Sequence, residues 1–533
     1  MARTPTALDR VLDVLPALAG DLRIEVWFTI DEGSEFSVGL AEQVRALGAR
    51  IVSWDEATRT DFQLIVAASD NSDLHALSGP LFLIPHGAGF QKYSPHSTPD
   101  GVRTLSGFAA SALWHEGRPI PARIGLSHEN QLGHIADAAP GLVDRAAVIG
   151  DPCLDRLTLL ARDRDRCKRS LGLRREQSLI VMTSTWGAHS TMGRWPSLPA
   201  ELIAQLPYDE YRVAAVLHPN IWTYHGSWQV RHWLARARAA GLILVTPTEP
   251  WKAVLAAADC VIGDHGSLSA YSTGLRRPLL LAAFGAAEVP PGTSMSELGE
   301  QIPRLVRDRP LATQIRTAIE TVDHALLDRL AEQVFAHRGR AQDRLRAVMY
   351  ELLDLTPPPW PSMVPPTPTE PLPSTTPGAF RVAVEFDDSD GRHTALALRR
   401  YPAILDNPAE REDGNHLVVA SNEPDERLAQ NAAIVVACHP MDGDAARDWA
   451  ATTLSELPGC RIAATASDAG TLFALLRDGR SMHAHAVDTA CHPQLLASAL
   501  HCQLMRHPGR SDLPNLVITT GSRRTTVEFR SGR

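Results

Sequence analysis

With 533 residues, 44% of them hydrophobic and 21% charged, the chain has the composition of a soluble globular protein with material for three or four cores at roughly 150 residues each. A net charge of −9 excludes a nucleic-acid coat or a broad anionic-membrane binder, because both need extended cationic surface; a local basic pocket for one phosphate is compatible with it. Seven single cysteines without a CxxC pair argue against a disulfide framework, and no apolar run approaches the roughly 20 residues that span a bilayer, so the expectation is a reduced, cytoplasmic protein with at most peripheral membrane contact.

In chain order, residues 23–30, 50–54, 62–69 and 80–87 read as buried strands, with helical spacing over 36–47 between the first two. Near residue 150 the pattern restarts. Strands are predicted at 178–185, 211–219, 241–247, 259–266 and 278–284, with helices over 228–240 and 249–258 and a long amphipathic stretch over 324–354. The connector VIGDPCLDRL (148–157) suits a hinge: Gly150 and Pro152 permit a sharp turn, Asp151 is placed to cap the next helix, and Asp155 reads as structural. The segment 356–378 is so rich in proline that helix and ladder are both disfavoured, and a semi-rigid linker is predicted. Beyond it, 380–386, 416–421, 432–438, 461–467, 515–521 and 525–530 read as strands of a separate α/β domain.

Ligands of open parallel sheets bind beyond the carboxyl ends of the strands. Four such ends carry polar residues here: His86-Gly87, Thr183-Ser184-Thr185, His218-Pro219-Asn220 and Asp264-His265-Gly266-Ser267. The last opens a predicted helix, whose N–H groups and dipole suit a phosphate, with Ser267 and Ser269 as hydroxyl donors; alternatively Ser267 simply caps the helix. His218 is placed to donate to the same phosphate. His86, followed by glycines, is the candidate base toward an acceptor hydroxyl, with Lys92 close by for an anion. A GxGxxG opening, a GxxxxGK[ST] loop, a GxSxG elbow and a strand-end acidic pair are absent, so a nicotinamide site is unsupported and transfer without a metal or other cofactor is the simpler expectation. The rear cysteines and histidines (Cys438-His439, His483, His485, Cys491-His492, His501-Cys502) match no compact zinc spacing, and no metal is predicted.

The ordered set PHGAGFQKY, VIGDPCLDRL, TSTWGAHS, VLHPNIW and DCVIGDHGSLSAYSTGLRRP resembles the CDP-glycerol glycerophosphotransferase family of teichoic-acid synthesis over residues 20–350. The resemblance implies a GT-B fold, a pair of Rossmann-type doubly wound α/β domains: 1–149 for the acceptor, 150–323 for the nucleotide, and 324–355 packing back across both. The linker (356–378) and an α/β domain of unassigned function (379–533) follow. It further implies that His86 is the base and that His218, Asp264, Gly266 and Ser267 contact the phosphates of a CDP- or UDP-linked donor. The chain departs from the family pattern in three places: His265 stands where an aromatic is usual, Gly266 replaces a serine, and Pro85-His86-Gly87-Ala88 stands for the usual tryptophan-histidine-glycine-threonine element. Thr185, Lys92 and Ser269 complete the expected substrate-binding set. The chain is also similar to the non-hydrolysing UDP-GlcNAc 2-epimerases, which share the histidine-proline strand end. The readings carried forward are therefore a transferase acting on a hydroxyl acceptor, a non-catalytic nucleotide-binding or scaffold module, and an epimerase-like enzyme. The acceptor and the oligomeric state are left open.

Overall fold

The computed structural model describes residues 1–533 except 32, 34–36, 38, 70–72, 94–104, 107–112, 364–371, 373–374, 388–394, 406–414, 468–469, 488–490, 511 and 533. The protein is mixed α/β; among the described residues the front two-thirds hold two larger parallel sheets and two two-stranded ones, with a closed barrel behind them. Parts of the predicted helix 36–47 and of the proline segment lie outside the described residues.

The sheet after residue 150 follows its sequence pattern closely. Its five strands are all parallel, in the order Ile243–Val245, Tyr211–Leu217, Ser178–Ser184, Cys260–Gly263, Leu279–Leu281. The central strand shows why a continuous apolar run was required. Leu179 and Val181 point into one buried cluster while Ile180 and Met182 point into another, so both faces are covered.

The first region is more divided than its pattern suggested. Strands Ile65–Ala67, Leu81–Leu83, Pro121–Leu126 and Ala146–Val148 form one parallel sheet, whereas Trp27–Thr29 and Arg50–Val52 pair separately. Pro121–Leu126 and Ala146–Val148 were not anticipated. Arg123 and Gly125 interrupt the apolar run of the first. Gly125 is needed there, since a Cβ would lie 2.7 Å from Ile149 Cδ1. Of Ala146–Val148, only Val148 falls within the connector read at 148–157. At that connector Gly150 has φ +78°, and a Cβ would come within 2.7 Å of the Ala336 carbonyl oxygen.

The predicted long helix of 324–354 is two helices, His324–Glu332 and Ala341–Leu352, separated by a turn in which His337 (φ 50°) and Gly339 (φ 78°) are left-handed. Leu327 and Leu330 join the core of the second sheet, while Leu345, Met349 and Tyr350 join helix Pro5–Val14 in the core of the first. Asp155 receives the N–H groups of Gly339 and Ala341, which ties this turn to the connector.

In the rear third more strands are present than the six candidates the sequence offered. Nine strands close into a barrel that includes the unanticipated Ala395–Pro402, Leu472–Leu476 and Ser481–Ala486. Helix Pro493–Arg506 packs against the inner face, so that residues on nearly every side of it are buried. The first of the missed strands, ALALRRYP, carries two arginines, one of which has a buried role: Arg400 makes two 2.7 Å bonds to Asp209 of the second region, each side chain 3% exposed. Nor is the proline segment a free spacer. Leu372 is buried in the second region's core and bonds Ser170, and Arg346 donates to the carbonyls of Pro358 and Trp360. Among the described residues no helix is long and apolar enough to cross a membrane.

Candidate active site

The carboxyl ends of strands from both sheets line one cleft of about 790 Å³, a volume suited to a small-molecule ligand. His86, Lys92, Thr185, His218, Asp264 and Gly266 line it together with Ser267. Ser269 does not. Its hydroxyl turns back to the Asp264 carbonyl at 2.6 Å and the residue is fully buried, so the expected contact between Ser269 and a ligand is replaced by a structural bond.

Asp264 also has a different task from the one expected. One carboxylate oxygen accepts from the N–H groups of Thr185 (2.9 Å) and Thr191 (2.8 Å), and the other from Gly266 (2.9 Å). A carboxylate already receiving three backbone donors positions the two loops that form the cleft wall. Its neighbour His265 points into the protein, accepting from Gly285 N–H at Nδ1 and lying 2.8 Å from Glu288.

The helix Ser267–Gly274 starts at the cleft. Its N-cap is Gly266 rather than Ser267, and no side chain caps it. The first N–H groups and the positive end of the helix dipole thus meet the cleft without a competing protein acceptor from a capping side chain. Ser267 Oγ accepts from Ala88 N–H across the cleft at 3.3 Å, and a Cβ on Gly87 would lie 2.5 Å from it. Gly87 is what allows the two walls to approach this closely.

His218 caps helix Pro219–His225 by accepting from Asn220 N–H at Nδ1, 3.1 Å. With Nδ1 as acceptor, a neutral ring carries its proton on Nε2, which is then a donor. Desolvation, with Lys92 and His86 nearby, pushes its pKa down to about 3, so the ring is neutral at pH 7. Lys92 reaches from the first region to Thr185 Oγ1 at 3.0 Å. Burial lowers its pKa against the opposing pull of Asp264 and Glu288. An ammonium in such a site is short of counter-charge, which a diphosphate would provide.

His86 sits on the turn after Leu81–Leu83. Its ring is open to the water of the cleft but hemmed in by the walls; desolvation, then Arg10 and Lys92, push its pKa down to about 4. A bound dianion would oppose Arg10 and Lys92 and raise that pKa.

The sequence reading missed the buried group that joins these parts. Arg10, on helix Pro5–Val14, donates to the Gly87 carbonyl (2.7 Å), Asp151 (3.0 Å) and Tyr271 Oη (2.7 Å). It thereby links the His86 turn, the connector and the Ser267 helix. Asp151 also caps helix Pro152–Arg162. Beside this group Lys252 pairs with Asp9 (2.6 Å) and Asp13 (3.2 Å), and Arg156 with Asp13 (3.1 Å). The available signal was the LDRVLD pattern, charges on an otherwise apolar helix, but their partners are up to 261 residues away. Among the described residues no group of three or more His, Cys, Asp or Glu is arranged to hold a metal ion.

No family model matches the chain, and no curated protein does. Among solved structures it is similar to an H548A variant of the wall teichoic acid polymerase TagF, at 12% identity and TM-score 0.43 over 65% of this chain and 85% of that one. It is also similar to S. aureus MnaA in a co-structure with UDP, at 11% identity and TM-score 0.39 over 68% and 98%. The third is Anabaena Alr3699/HepE in complex with UDP-glucose, at 12% identity and TM-score 0.40 over 67% and 97%.

Proposed function

We propose that the front two sheets form a GT-B-like transferase that moves a glycerophosphate-like or glycosyl group from a CDP- or UDP-activated donor to a hydroxyl acceptor. The observation that carries the reading is the meeting, in one cleft, of an uncapped helix N-terminus at Ser267, the Lys92 ammonium, a His218 ring whose Nε2 is a donor, and His86. The first three are suited to two phosphates. In this proposal the helix N–H groups and Lys92 neutralise the diphosphate, the role a divalent ion fills in other transferases. His218 Nε2–H donates to a phosphate oxygen that gains charge as the bond to the transferred group breaks. His86 accepts the proton of the incoming hydroxyl as the new bond forms, and the nucleotide leaves with its phosphate ionised. Thr185 orients Lys92, and Asp264 holds both loops in place without touching the donor.

Thermal-shift and calorimetric titration with CDP, CDP-glycerol, UDP and UDP-GlcNAc test the reading. A nucleoside diphosphate should bind, and Ser267→Ala should weaken it about tenfold or more, the loss expected for one hydrogen bond to a charged group. Cytidine preference would point to a glycerophosphate-like donor and uridine preference to a sugar donor. No binding by any of the four would remove the proposal. Binding without transfer to any acceptor would favour a non-catalytic module, and acceptor-free interconversion of a UDP-sugar an epimerase.

A further inference from the structure

The barrel has a cavity of its own, about 760 Å³, that shares no residue with the cleft. It opens around the last turns of helix Pro493–Arg506, where strands His416–Ala420, Ile434–Val436 and Ile462–Ala466 begin. Arg381, Arg461 and Arg506 line it, and no carboxylate does among the described residues. Val384, Leu417, Ala433 and Met505 supply an apolar wall.

Two buried histidines line the cavity, each 7% exposed, with ring centroids 4.8 Å apart. They differ in one respect. His416 Nε2 is 2.9 Å from Ser498 Oγ, whereas His501 has no hydrogen-bond partner among the described residues. Neither ring nitrogen of His501 is both sealed from solvent and unpaired, so its ring is reached from the cavity, where water or a ligand can satisfy it. Desolvation and then Arg461 hold its pKa down to about 4, so at neutral pH it offers one N–H. Arg461 itself is exposed, and its side chain bonds only Met505 Sδ among the described residues, a weak acceptor. Its guanidinium is therefore not committed to a carboxylate, although a planar fork of this kind suits a phosphate or carboxylate.

We propose that this cavity is a second ligand site, for a small polyanion (a phosphate ester or a polycarboxylate) held by Arg461 with Arg506 and Arg381 and met by His501, any apolar portion lying on the Val384–Met505 wall. The site is independent of the reading given to the cleft.

Calorimetric titration of the full chain with inorganic pyrophosphate and with citrate tests it, using wild type, Arg461→Glu, His501→Gln and the cleft variant Ser267→Ala. At least one probe should bind, with Arg461→Glu weakening it tenfold or more and Ser267→Ala leaving that binding within twofold. Stronger binding of pyrophosphate assigns a phosphate ester, and stronger binding of citrate a polycarboxylate. His501→Gln should weaken the same probe. If that variant fails to fold, Arg461→Glu decides alone, because Arg461 is on the surface. Failure of both probes to bind, or binding that Arg461→Glu leaves unchanged, would overturn the site.

Discussion

The two walls of the cleft are built on opposite plans. The second-region wall is fixed from within: its loops hang from one carboxylate, Asp264, through three backbone N–H groups, on a five-stranded sheet covered on both faces. The first-region wall rests on a sheet split into pieces, and its essential turn is held from outside. Arg10 grips the Gly87 carbonyl while bonding Asp151 and Tyr271 of the opposite half. The contrast shows where rigidity is local and where it depends on the two halves staying together. Under the proposed function, it would suit a cleft whose phosphate end is preformed and whose acceptor end is set by closure.

Breaking the chemistry on the first wall should have the largest effect. His86→Ala is expected to lower transfer by 10²–10⁴-fold, the range of general-base catalysis, with donor affinity within about threefold. Steady-state rates beside calorimetric affinities check this, and full activity would remove His86 from the mechanism. Next comes the bridge. Arg10→Met leaves the Asp151 carboxylate buried without its partner and should cost about 3–5 kcal/mol in denaturant unfolding. A cost below about 1 kcal/mol would mean that the first wall holds itself.

A pH profile sharpens the comparison. His86 and His218 have folded pKa values of about 4 and about 3, below the unfolded histidine value near 6.5. The unfolded state therefore binds more protons below pH 6.5. The stability contribution of these rings is complete above that value and is lost as pH falls toward 4. For catalysis, the acid limb of kcat/KM, which reports the free enzyme, should fall nearer pH 4 than 6.5, and the limb of kcat should lie above it because bound phosphate raises His86. Coincident limbs near 6.5 would contradict both statements. The smallest effect belongs to Ser269→Ala on the second wall: about 1 kcal/mol of stability for its bond to the Asp264 carbonyl, with nucleotide affinity changed less than threefold. A tenfold loss of affinity would restore Ser269 to the ligand.

What the sequence made legible follows the same division. Strands buried on both faces announce themselves as unbroken apolar runs, so all five of the second sheet were visible, as were the polar residues at their ends. Strands with mixed faces did not. SMHAHA carries histidine at alternate positions, and ALALRRYP carries two adjacent arginines, of which Arg400 is buried against Asp209; both were missed. Within the site, His86, His218 and Ser267 were found because a strand end is a local signal. Which way a side chain turns is not local: Ser269 faces inward and Asp264 faces its own loops, although both lie in the same short motif. Arg10 was hidden for the opposite reason, since its meaning depends on residues 141 and 261 positions away.

The Asp209–Arg400 pair has a practical meaning for anyone dividing this chain. The proline segment looks like the natural place to cut, yet a front fragment ending there would keep Asp209 while losing the guanidinium that grips it, and would uncover Tyr208, which packs in the barrel core. The matching rear fragment would carry an unpaired buried Arg400. Each piece would expose half of a joint made to stay shut, so the seam that is easiest to see in the sequence is a poor one to open.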